Sequence, residues 1–137
     1  GYLGQVIFDT DGNRWELIGI IGGLHYWALP IDCFPAINTE YVLCIEDGVV
    51  LYKYKLVNNA GSTAGTTKTI THGLSVANII KNDLKKISGV CLSGNTYTSA
   101  TYYVWTRFGT TAFEITTGSS GSFPLAQFES VLYYTKT

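Results

Sequence analysis

Two histidines, His25 and His72, are the only imidazoles in the chain. A hydrolytic triad needs a base held beside a nucleophile and oriented by a third group. His72 stands in "KTITHGL" with Thr69 and Thr71 close by in sequence, but with no serine on a strained elbow. Its expected role is structural, with the ring bonded to a backbone carbonyl. Glycosidases place two carboxylates about 5–10 Å apart. The chain has ten acidic residues, and none lies in an aromatic-acid cluster that would tune such a pair. Glu114 in "AFEIT" and Glu129 in "FESVL" read as outward-facing or interface residues. "DTDGN" sets Asp9, Asp11 and Asn13 at calcium-loop spacing, but the EF-hand pattern then needs Gly and Glu where Arg14 and Ile20 stand. A polar turn is expected there. "GSTAGTTKT" lacks the Gly-Lys spacing of a phosphate-binding loop. Cys33, Cys44 and Cys91 show no metal-ligand spacing and sit in apolar contexts, as small buried hydrophobes of a protein made in a reducing compartment do. No catalytic residue, no metal and no cofactor is expected.

A binding surface is easier to find. In "TYYVWTRF" the period of a strand puts Tyr103, Trp105 and Arg107 on one face and Tyr102, Val104, Thr106 and Phe108 on the other. One face must be core. Flat rings stack on sugars or fill partner pockets, and Arg adds directional donors. The competing reading makes this face a second core or a subunit contact. The loop Gly118–Pro124 adds Ser120 and Phe123 to the candidate ligand residues.

The elements that would position these residues are short strands. Apolar-polar runs alternate with turn signals at roughly 8–12-residue spacing, the sign of an all-β sandwich or barrel. "QVIFD", "RWELIGI" and "LHYWAL", separated by "TDGN" and "IGG", predict a three-stranded meander over residues 1–30. "PIDCFPAINTE" predicts an irregular crossing. "YVLCIE" and "VVLYKYKL" flank Asp47-Gly48 as a hairpin. Val50, Tyr52 and Tyr54 would share one face of its second strand, and Leu51, Lys53 and Lys55 the other. Further strands are expected at "KTITHGL", "KISGVCLSG", "ATYYVWTRF", "TAFEITTG" and "AQFESVLYYT". "SVANIIKNDLKK" breaks the pattern. Val76, Ile79, Ile80 and Leu84 fall at helical spacing with Ser75 as N-cap, which predicts about two turns of helix.

At 137 residues the chain is the size of one domain with a small N-terminal appendage. Charged residues make up only 14%, against the usual quarter, while 46% are hydrophobic. So little charge leaves a monomer short of polar cover, and burial against other copies is one physical remedy. The net charge is −1, and Lys85-Lys86 is the sole basic pair. Neither a nucleic-acid footprint nor an acidic-lipid footprint is present. The apolar run from Leu17, "LIGIIGGLHYWAL", is too short and too interrupted to span a bilayer. No signal peptide is visible, and a chain starting at Gly1 reads as a piece of something longer.

The second half resembles the C-terminal module of tailed-bacteriophage tail fibres and receptor-binding proteins. The resemblance is carried by "EDGVVLYKYKL", "TKTITHGL", "KISGVCLSG", "YYVWTRF", "FEITTG" and the terminal "VLYYTKT", over residues 46–137. The first thirty residues are similar, more weakly, to a second element of such fibres, with a Gly-x-x-Gly start, a "DTxG" turn and a closing Trp. One departure is the extra length between Gly73 and Gly89. The resemblance implies an antiparallel, jelly-roll-like β-sandwich head over 46–137 and a collar-like meander over 1–45. It implies a homotrimer at the virion tail tip, assembled in the bacterial cytoplasm and contacting a host-surface saccharide or protein. It implies no catalytic residue, cofactor, nucleic acid or membrane insertion. The last strand would be buried on one face by the second sheet and on the other by neighbouring subunits. Two other readings stand beside it: a structural fibre or baseplate component that binds no host, and a monomeric carbohydrate-binding module.

Overall fold

The computed structural model describes residues 1–63, 65–88, 90–91, 94–98, 103–118, 123 and 125–137. Among them there is no helix. The strands are β1 (Val6–Phe8), β2 (Arg14–Ile21), β3 (Leu24–Ala28), β4 (Glu40–Glu46), β5 (Val49–Asn59) and β6 (Thr67–Thr71). They continue as β7 (Asn78–Ile87), β8 (Val90–Cys91), β9 (Thr96–Thr98), β10 (Tyr103–Phe108), β11 (Ala112–Thr117) and β12 (Gln127–Thr135). An eight-stranded sheet has the order β1-β2-β3-β4-β5-β12-β7-β8, and a four-stranded sheet has the order β6-β11-β10-β9. Among the described residues every strand pairing is antiparallel except a single bridge between β3 and β4, Ala28↔Val42.

Local chemistry sets the hairpins. Gly22 and Gly23 (φ 58° and 79°) join β2 to β3, and Asp47 and Gly48 (φ 50° and 77°) join β4 to β5. Two-residue loops with positive φ at both positions are the turns whose twist matches paired strands, and Gly and Asp are the residues that tolerate them. The expected meander is therefore present as β1–β3. Its sheet does not stop there. A division at residue 45 falls inside the β4–β5 hairpin, which is paired from Glu40↔Tyr54 to Glu46↔Val49. The expected crossing is also present: residues 29–39 link β3 to β4 without a strand or helix.

The core lies between the two sheets. Leu56, Leu84, Ile87, Phe128, Leu132 and Tyr134 of the large sheet meet Val104, Phe108, Phe113 and Ile115 of the small one. The Phe113 and Phe128 rings stack at 5.6 Å, and Phe108 meets Tyr134 edge-on at 5.9 Å. Asn82 of β7 donates to Thr106 Oγ1 of β10 at 2.7 Å, a polar tie between the layers. The architecture is all-β and sandwich-like.

Two expectations are corrected. The segment "SVANIIKNDLKK" is not a helix; it supplies β7, paired along β12. Bulges explain the false period. Lys85 falls between Lys86↔Glu129 and Leu84↔Ser130, and Ile80 falls between Lys81↔Tyr133 and Ile79↔Tyr134. Each extra residue reverses the alternation. Leu84 and Ile87, three apart, thus both reach the core fully buried, as they would on a helix. Likewise "KISGVCLSG" is not one strand, because it turns at Ser88 (φ 49°) into the β7–β8 hairpin.

The outer face of β12 is also covered within one chain. Val131 and Tyr133 are buried there, while Leu132 and Tyr134 fill the core. Tyr133 lies beside Lys53 in register. Residues 30–33 close over Lys53, whose Nζ donates to the carbonyls of Pro30, Ile31 and Cys33 at 2.9 Å each. Lys81 Nζ sits 5.0 Å over the Tyr133 ring. Neighbouring subunits are not needed to bury this strand.

Candidate ligand-binding face

The small sheet turns one side to the core and the other to solvent. Along β10, Val104, Thr106 and Phe108 are buried while Tyr103, Trp105 and Arg107 are exposed. The alternation read from "YYVWTRF" is thus what the fold uses. Register extends the outer face sideways. Trp105 lies opposite Thr116 on β11 and Thr96 on β9, and Thr116 lies opposite Thr67 on β6. Arg107 lies opposite Glu114, and Glu114 opposite Thr69. Directly opposed residues share a face. An aromatic-cationic row therefore runs beside the exposed threonines Thr67, Thr69 and Thr96, with Thr116 itself buried and one carboxylate beside it.

Each member is held differently. The Tyr103 ring lies on Gly118, where a Cβ would come within 2.5 Å of it, and the Tyr103 carbonyl accepts the Gly118 N–H at 2.7 Å. Thr67 and Thr116 share a hydroxyl hydrogen bond, which fixes the rung beside Trp105. Trp105, 37% exposed, has no hydrogen-bond partner for its indole N–H among the described residues. Beyond Arg107 the β10–β11 turn rises. Gly109, Thr110, Thr111 and Ala112 enclose, with Arg107 and Glu114, a cleft of about 200 Å³.

Of the residues expected from sequence, Tyr103, Trp105 and Arg107 are brought together on this face. Phe123 is not: at 5% exposure its ring belongs to the core. Ser120 and the side chain of Cys91 lie outside the described residues. Cys33 and Cys44 are half-buried free thiols rather than fully buried ones, and burial pushes the Cys44 thiol above its ordinary pKa. From the sequence Glu114 reads as an outward-facing or interface residue, with no partner named. A signal for its place does exist: residues equally distant from a hairpin turn are partners, and the "GTTA" turn at 109–112 pairs 107 with 114.

His72 is structural. Nε2 lies 2.9 Å from the Gly109 carbonyl, so it carries the proton, and Nδ1 accepts the Leu74 N–H at 3.0 Å. The ring meets Phe108 edge-on at 5.5 Å. In "DTDGN", Asp9 accepts from the backbone N–H groups of Asp11 and Asn13, from Asn13 Nδ2 and from the Trp15 indole. The Trp15 indole, followed by the Asn13 N–H, holds its carboxyl down at about 2. Its oxygens are thus committed to a turn. Among the described residues, no three His, Cys, Asp or Glu side chains gather as metal ligands would.

Comparison with protein-family models, with curated proteins and with solved structures found no match for this chain.

Proposed function

We propose that this chain is the receptor-binding tip of a tailed-phage tail fibre. It acts as a homotrimer with a jelly-roll-like head, and it binds a host-surface saccharide through the outer face of its small sheet. The observation that carries the binding role is the exposed row Tyr103-Trp105-Arg107, set on threonines and not consumed by the fold. An aromatic ring with a free N–H beside a guanidinium stacks on a sugar's apolar face and donates to its oxygens. The phage context is supported by the resemblance of "TKTITHGL" and the terminal "YTKT". The role requires no catalytic residue.

Binding to purified bacterial cell envelopes tests it. The labelled chain is expected to sediment with envelopes of a susceptible strain, and Trp105→Ala should reduce binding about tenfold or more, as loss of a buried aromatic anchor does. Undiminished binding by folded Trp105→Ala would move the site elsewhere. Absence of binding across a broad panel of envelopes would favour the structural-component reading.

A further inference from the structure

The cleft at the end of the β10–β11 hairpin narrows the ligand class, an inference that rests on the saccharide-binding role proposed for this face. Arg107 and Glu114 are partners in register. Opposite charges so placed ordinarily pair. Here neither side chain makes an ion pair or hydrogen bond among the described residues. Both instead line the same cleft, with Gly109, Thr110 and Thr111 closing it.

A carboxylate only accepts hydrogen bonds and a guanidinium only donates them. A pair of adjacent sugar hydroxyls does both. One hydroxyl can donate to Glu114 while its neighbour accepts from Arg107, and each bond is charge-assisted. The lining carries one charge of each sign. A carboxylate or phosphate on the sugar would gain Arg107 but lie against Glu114, and like charges at such range oppose binding. Trp105 stands two residues back along β10, about 7 Å away, with its ring facing out.

We infer that this cleft is the anchoring subsite for an uncharged sugar unit bearing adjacent hydroxyls, with the next unit of the glycan on Trp105. Glu114 both binds the neutral sugar and rejects acidic ones.

The whole chain, labelled with nitrogen-15, can be titrated with maltotetraose, cellotetraose, mannotetraose and, as the acidic probe, tetragalacturonate. At least one neutral tetramer is expected to move the Trp105 indole signal and the amides of Gly109–Ala112 together. Glu114→Ala should weaken that binding about tenfold or more. Glu114→Gln, which keeps the shape, should admit tetragalacturonate. The subsite is wrong if a neutral sugar moves Trp105 alone, if Glu114→Ala changes nothing, or if tetragalacturonate binds the unaltered chain equally well. If none of the probes moves any signal, this inference falls, while envelope binding decides separately whether the saccharide reading stands.

Discussion

Lys53 shows how one side chain can hold a connection. It is fully buried, its three donors go to the carbonyls of Pro30, Ile31 and Cys33, and Phe34 lies 4.5 Å from its Nζ. Burial lowers its pKa, while Cys33 and Asp32 pull the other way. Lys53→Met keeps the apolar stem but leaves three carbonyls without their donor. It should cost about 3 kcal/mol or more in urea unfolding and open residues 29–39 to limited proteolysis. An unchanged midpoint would mean that the crossing is held by other contacts. Asp9 gives a pH test. Its folded pKa of about 2 lies below the ordinary 3.8. Its contribution is therefore complete above 3.8 and fades as pH falls from there towards 2. In melts over this range the advantage of the native chain over Asp9→Asn should shrink as pH drops. A constant gap would mean that the charge does not brace the turn.

At the scale of elements, β7 decides between two readings of one apolar spacing. On a helix, Ile80 and Leu84 would share a face and cost alike when truncated. In the strand, Leu84 is fully buried and Ile80 is half-exposed at a bulge. Leu84→Ala should therefore cost about 2–5 kcal/mol, and Ile80→Ala about 0.5 kcal/mol or less. Equal losses in chemical denaturation would revive the helix. The contrast also shows what could be read in advance. The β2–β3 and β4–β5 hairpins announce themselves in Gly-Gly and Asp-Gly, because those turns need positive φ. The exposed side of β10 was legible because it alternates without a bulge. β7 was not, because its bulges depend on the partner strand. Lys53 was not, because nothing in "LYKYK" says that a distant crossing will present its carbonyls there. The burial of Phe123 was not legible either, because a ring in a Gly-Ser loop resembles a ligand contact until the second sheet is in place.

For the whole molecule, the chain end is built into the centre. β12 lies between β5 and β7, Tyr134 donates to Glu40, and Lys136 is 2.6 Å from the same carboxylate and 4.4 Å over the Tyr52 ring. Since one chain buries both faces of β12, that strand does not account for the low charge content. The apolar surface lies elsewhere. Val6, Ile7 and Phe8 are consecutive and all exposed, so β1 shows apolar groups on both faces, and among the described residues its outer edge is unpaired. Tyr2, Leu3, Ile20, Ile21 and Leu24 of the same N-terminal segment are exposed as well. Patches of this kind mark contact sites, so the meander is where the proposed trimer should close. Light scattering after gel filtration should give three times 15.0 kDa. The double variant Ile7→Lys, Phe8→Glu changes exposed positions only, so it should fall to the monomer mass with its far-UV spectrum intact. A native chain that runs as a monomer at micromolar concentration would remove β1 as the trimer contact and leave either a piece cut from its trimerising shaft or a stand-alone sugar-binding module. A variant that stays trimeric would place the contact away from β1.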